Sequence, residues 1–174
     1  MNYGEIKTND IANGEGVRTS LFVSGCRHCC KNCFNAQTWD FAYGKPFTEE
    51  TMTQIFKDCS PEWINGLSIL GGEPFEPENQ KVLLPFLIMF RDRFPQKTVW
   101  CYSGFTIEEI VGTKKSRADT EISKEMLSLI DVLVDGRFVE EEKDISLVFR
   151  GSANQRVIDV KKTIQQKEIV LYLE

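Results

Sequence analysis

Four short apolar runs constrain the fold. "VRTSLFVS" (17–24), "GLSIL" (66–70), "KTVWCYS" (97–103) and "DVLVD" (131–135) have the length and side chains of buried strands. Their starts lie roughly 30 residues or more apart, the length of a strand, a crossover helix and two loops. Helical periodicity fills the gaps. Met52, Ile55, Phe56 and Cys59 fall at i, i+3, i+4 and i+7, with Thr48 as N-cap and Glu49 and Glu50 in the first turn. Leu83, Phe86, Leu87 and Phe90 repeat the stripe in a helix that Pro85 must kink or that starts late. Thr106 to Glu109 reads as a capping box, and "SKEMLSLI" as a further helix. "QRVIDV" and "EIVLYL" are late strands. The expectation is an α/β fold on a mostly parallel sheet, flat or curved as part of a barrel, with residues 1–174 forming a single domain.

In such sheets, sites lie at the carboxyl ends of the strands. Each of the four runs ends in an unusual loop: a cysteine cluster, "GGEP", "YSG" and "DGRF". Four such loops at one end of one sheet point to a single site.

The first loop, "SGCRHCCKNCFN" (24–35), holds four of the six cysteines. Packed so closely, they cannot close loops as a disulfide framework does. Cys26, Cys30 and Cys33 form C-x3-C-x2-C and leave Cys29 as a surplus thiol. Three thiolates on one tight loop can wrap an iron–sulfur cube and leave one iron open for a substrate. Zinc is an alternative, but it normally takes four ligands in two pairs, and the second pair is missing. A dithiol "CKNC" is another. The spacing favours iron–sulfur over both. "GGEP" alone reads as a plain turn. Beside the cysteines it reads as a backbone that a ligand can approach closely.

Composition narrows the partners. The formal charge is -5, and no lysine or arginine run forms a nucleic-acid or membrane patch. "VLLPFLIMF" (82–90) is too short to cross a bilayer, and "MNYGEIKTND" is no signal peptide. A soluble, cytoplasmic protein is expected.

C-x3-C-x2-C followed by an aromatic residue, Phe34, with "GGEP" after the next strand, resembles the radical S-adenosylmethionine enzymes. "NGEGVRTSLFVSGCRHCCKNCFNAQTWDF", "LSILGGEP", "WCYSGF", "DVLVDGRF" and "FRGSANQRVIDV" are, in order, similar to the activating proteins of anaerobic ribonucleotide reductases. The resemblance implies a partial (β/α) barrel of the radical enzyme type. It implies that Cys26, Cys30 and Cys33 hold a [4Fe-4S] cluster whose open iron chelates S-adenosylmethionine. One electron would then break a sulfonium C–S bond, and the 5'-deoxyadenosyl radical would take hydrogen from a glycine of the reductase. Asn32, Cys33, Phe34, Gly71, Gly72 and Ser103 would contact the adenosylmethionine, and no catalytic side chain is implied beyond the cluster ligands. The implied partners are the reductase and a low-potential electron donor such as flavodoxin. A small radical enzyme of the deazaguanine-precursor type is the alternative, against which the "RGSANQRVID" tail argues. A short chain with an open site suits a protein loop as substrate.

The remaining polar and thiol residues carry weaker expectations. Cys29 reads as a bystander. His28 either hydrogen-bonds a cluster sulfide or shapes the loop, and Cys59 and Cys101 read as core. Arg18 reads either as the partner of a nearby carboxylate or as part of an ordinary loop. Part of the set Asp135, Arg137, Arg150, Asn154, Gln155 and Arg156 should contact adenosylmethionine or the partner's glycine loop, the alternative being turns and caps. "EEEKD" (140–144) reads as a solvated loop.

Overall fold

The computed structural model describes residues 1–173. Eight strands form one sheet. They are β1 (Asn2–Asp10), β2 (Arg18–Val23), β3 (Lys45–Pro46), β4 (Gly66–Gly71), β5 (Thr98–Ser103), β6 (Val132–Asp135), β7 (Arg156–Asp159) and β8 (Leu171–Leu173). Their order is β3-β1-β2-β4-β5-β6-β7-β8. The central ladder β2-β4-β5-β6 is parallel, and both flanks are antiparallel. A mostly parallel sheet was expected; the parallel part is confined to the four strands that the sequence marked most clearly. The sheet stays open, since β3 and β8 are its two edges.

Helices α1 (Glu49–Cys59), α2 (Pro77–Arg93), α3 (Ile107–Ile110), α4 (Ser123–Ser128) and α5 (Val160–Gln166) connect the strands. Strand parity decides which face they cover, because successive side chains point to opposite faces. Leu21, Ile69, Cys101, Leu133 and Ile158 pair in register across five strands and form one row. All five lie in the main core with Ile55 of α1, Phe86 and Phe90 of α2 and Met126 of α4. Cys59 and Cys101 are buried there as expected. The opposite face carries Trp100, Val132, Val134 and Val157, a smaller cluster onto which Tyr102 and Phe149 pack.

Local chemistry explains the element ends. Thr48 and Thr51 cap α1 reciprocally, and at the start of α3 the Glu109 carboxylate accepts from Thr106 N–H (2.9 Å). Pro77 sits in the first turn of α2, where its missing N–H costs nothing, whereas Pro85 lies inside the helix.

Arg18 departs from expectation. Its guanidinium is buried and, among the described residues, meets no carboxylate directly. It donates to Ser68 Oγ (2.7 Å), Leu67 O (2.8 Å), Thr98 O (2.9 Å), Thr98 Oγ1 (2.9 Å) and Glu15 O (3.1 Å). Burial lowers its pKa to about 10, so it remains a cation at neutral pH. It ties β2, β4 and β5 together at the end opposite the cysteines.

Candidate functional site

β2 ends at Val23, and the cysteine loop begins at once. Backbone bonds set its path: Gly25 N–H donates to Thr38 O (2.8 Å) and Cys26 N–H to Trp39 O (3.1 Å). Cys26, Cys30 and Cys33 line one cavity of about 520 Å³. Cys29 is exposed and lies outside it, at a left-handed φ of 51°. Among the described residues, no three His, Cys, Asp or Glu side chains form a group that could hold a metal ion as they stand. Three thiols on one cavity supply the donor set for a body that takes one sulfur at each of several corners. Burial pushes the Cys26 thiol up to about 12, and burial with neighbouring Cys33 also raises Cys30. A cationic centre is needed to hold such sulfurs as thiolates.

Gly71, Gly72, Ser103 and Phe34 line the same cavity, with Phe22, Leu70 and Tyr102 from the face of the sheet that the helices leave open. Asn32 does not: it is exposed in a left-handed turn, φ 57°. Phe34 is at the rim, with its ring centroid 5.8 Å from that of Phe138. Gly72 N–H donates to Val23 O (2.7 Å), so any ligand must use other backbone groups there. Both glycines are needed for close packing. Gly71 has φ 102°, and a Cβ on Gly72 would lie 2.7 Å from Gly25 O. Gly72→Ala is therefore expected to push the two loops apart at a cost of about 1–3 kcal/mol. The check is urea unfolding of the anaerobic apo-protein alongside its iron content after reconstitution; wild-type values for both would contradict this.

The sequence reading missed what joins the loops. Three polar residues spaced by three, Glu73, Glu76 and Asn79, are fully buried. Glu73 accepts four hydrogen bonds: Oε1 from Phe75 N (2.8 Å) and Ser103 Oγ (2.8 Å), Oε2 from Gly104 N (2.7 Å) and His28 Nε2 (3.0 Å). Its carboxylate thus connects the loops after β2, β4 and β5. Glu76 accepts from the Arg27 N–H (2.8 Å) and guanidinium (2.8 Å) and from both ends of the Arg117 fork (2.9 Å each). Asn79 Nδ2 donates to Ser24 O (3.0 Å) and Glu73 O (2.9 Å). The available signal was an arginine inside the cysteine motif and two carboxylates placed shortly after a buried strand.

This wiring assigns roles to residues that the sequence left open. His28 Nε2 points at Glu73, and its ring packs edge-on to Phe105 at 4.4 Å. The Ser103 hydroxyl is committed to Glu73 and accepts from Phe105 N–H (3.0 Å). Asp135 and Arg156 pair through two hydrogen bonds, and Arg156 also grips Glu108 (3.0 and 2.8 Å). Gln155 closes its own turn, accepting from Gly151 N–H and Ser152 N–H, and it lines the cavity with Arg150. Asn154 donates to Arg137 O, and Arg137 is exposed. The 140–144 run is exposed save for half-buried Glu140, and Lys31 reaches Glu141 across 3.3 Å.

These clamps make stability pH-dependent. Hydrogen bonds from Arg27 bring Glu78 to about 2, and those from Arg156 bring Glu108 to about 2. Burial opposes the same effect at Glu76, but hydrogen bonds from Arg117 and Arg27 still hold it below the ordinary range. A carboxylate with a depressed folded-state pKa stabilises above its unfolded value and loses that contribution as pH falls through the folded one. Urea midpoints should therefore fall between pH 4.5 and about 2, with half-exposed Glu78 contributing least. A midpoint that stays flat across that window would contradict the assignment.

No helix among the described residues is long and apolar enough to cross a membrane. Residues 12–158 match the 4Fe-4S single cluster domain. The chain is 44% identical over 157 residues to the anaerobic ribonucleoside-triphosphate reductase-activating protein of Pasteurella multocida, covering 89% of this chain and 95% of that one. The Haemophilus influenzae protein of the same name is 43% identical, covering 89% and 96%. The Escherichia coli K12 protein, also so named, is 40% identical over 159 residues, covering 90% and 97%. With its three thiols on one cavity and its relatives matched almost end to end, the chain belongs to the family of anaerobic ribonucleoside-triphosphate reductase-activating proteins.

Proposed function

We propose that this protein activates an anaerobic ribonucleotide reductase by reductive cleavage of S-adenosylmethionine. The 5'-deoxyadenosyl radical so formed would take hydrogen from a glycine of the reductase and leave a glycyl radical there. The observation that carries this reading is the segregation of the four thiols. Cys26, Cys30 and Cys33 share one cavity with Gly71 and Gly72, and Cys29 faces solvent. A bound [4Fe-4S] cluster supplies one electron and one open coordination position.

The chain's own residues do the rest. Cys26, Cys30 and Cys33 hold the cluster. Gly71 and Gly72 bring backbone close to the amino-acid end of adenosylmethionine, and Phe34 offers a face to its adenine. Ser103 and His28 act through Glu73 by fixing the loops, rather than by touching the ligand. Phe138, Leu147 and Phe149 wall the cavity and exclude water from the radical. On this reading the open sheet is a partial (β/α) barrel and the whole chain is one domain. The exposed outer side of the cysteine loop, at Cys29, is where a low-potential donor such as flavodoxin delivers its electron.

The test is anaerobic reconstitution followed by addition of reductant, adenosylmethionine and the reductase. One four-iron cluster, 5'-deoxyadenosine and a glycyl-radical EPR signal on the reductase are expected. Formation of 5'-deoxyadenosine with no reductase radical under any condition would refute the activase reading.

A further inference from the structure

One wall of the cavity faces two ways. Residues 136–155 lead from β6 to β7 with only a 3-10 turn at Glu140–Glu142 and one bridge, Lys143 with Ser152. Leu147 and Phe149 point inward and line the cavity. Between them Val148 turns outward, 57% exposed, and Ile145 is 96% exposed, more than any other large apolar side chain among the described residues. Phe34 stands on the facing rim at 69% exposed, and Lys143 Nζ lies 5.2 Å from its ring centroid. Single exposed apolar side chains need no explanation. Here all three lie on the two segments that wall the cavity, the cysteine loop and 136–155, which Lys31 with Glu141 (3.3 Å) and Lys143 with Phe34 (5.2 Å) bring together. An apolar centre with a charged border is the make-up of a protein-binding surface.

The occupant follows from size. A cavity of about 520 Å³ holds a small molecule and cannot admit a folded domain. A glycine brought to it from another protein must arrive on a protruding loop, whose flanking residues then run across the rim. They meet Phe34 on one side and Ile145 and Val148 on the other. We propose that these three side chains dock the glycine-bearing segment of the reductase by gripping apolar residues on either side of the glycine. The assignment rests on the activase reading above and names the surface that reading requires.

The test uses the reconstituted protein and the intact reductase. An Ile145→Asp/Val148→Asp variant should keep wild-type iron content and wild-type 5'-deoxyadenosine formation without reductase. Its half-saturating reductase concentration for glycyl-radical formation should rise about tenfold or more, the scale of losing a well-buried interface anchor. Ile145→Leu should restore most of the affinity when Val148 is intact. An unchanged half-saturating concentration overturns the proposal. So does a matching loss of adenosylmethionine cleavage or iron, which would make the segment a cavity wall only. So does a change in self-association with the reductase titration unaltered, which would make the patch a contact between copies of this chain. Wild-type protein that cleaves adenosylmethionine yet never yields a reductase radical overturns the activase reading itself, and this assignment with it.

Discussion

Cys29→Ser protein is expected to assemble as much iron and sulfide as the wild type and to activate the reductase at a similar rate. Serine at Cys26, Cys30 or Cys33 is expected to abolish both. The four thiols are close in sequence, so the prediction rests on where the loop sends them. Cys29 (φ 51°) and Asn32 (φ 57°) take left-handed backbone conformations, and a turn closes from Cys30 O to Cys33 N–H (3.1 Å). The outcome is Cys30 and Cys33 on the cavity side with Cys26, and Cys29 in solvent. A cluster with only two cysteine ligands is not held, and without its three ligands no iron is both retained and open to substrate. Iron and sulfide content, with the EPR spectrum of the reduced protein, measure the outcome for each variant. Iron lost from Cys29→Ser but kept by Cys30→Ser would mean that the loop rearranges on loading and that the ligand register is C-x2-C-x3-C.

The parts of this fold that show in the sequence are those whose side chains have one environment to satisfy. Leu21, Ile69, Cys101 and Leu133 are fully buried on strands that are paired along both edges, so their strands read as apolar runs. β1 does not. "NYGEIKTND" is largely polar because the strand lies near the sheet's edge, flanked outside only by two-residue β3, and it is held by backbone pairing to β2. Backbone hydrogen bonds carry no residue signature. The site divides in the same way. The thiols and glycines were legible because their chemistry requires those residue types. Glu73, Glu76 and Asn79 were not, because a buried carboxylate needs partners from remote segments: His28, Gly104 and Arg117 lie far from it in sequence. Arg18 was misread for the same reason. A charged residue before a strand implies a carboxylate partner, whereas the fold supplies carbonyls and hydroxyls instead.

Glu73 is where stability and function should be lost together. Its carboxylate is buried, and both oxygens accept two hydrogen bonds, from donors on three different loops. Removing it leaves four donors without their acceptor, of which Phe75 N–H and Ser103 Oγ make buried bonds and Gly104 N–H and His28 Nε2 part-buried ones beside the cavity, and each unsatisfied buried group costs about 1–3 kcal/mol. Partial relaxation makes the sum smaller than four such terms, so Glu73→Ala is expected to lose about 3–5 kcal/mol. Glu73→Gln separates charge from volume. Its amide would turn an NH2 group toward either Gly104 N–H and His28 Nε2 or Phe75 N–H and Ser103 Oγ. A donor would then face donors, except that the Ser103 hydroxyl can rotate to accept and His28 can accept at Nε2 by moving its proton to Nδ1. A loss of about 2 kcal/mol is expected for this variant. Urea unfolding of the anaerobic apo-proteins measures these values. The functional arm follows from the geometry: once Gly104 and His28 are released, the cysteine loop no longer holds its place against the loop after β5. Iron content should fall in both variants, and 5'-deoxyadenosine formation per bound cluster should fall further. A Glu73→Gln protein with the wild-type urea midpoint and full activity per cluster would show that the loops hold their positions through Glu76 and Asn79 alone.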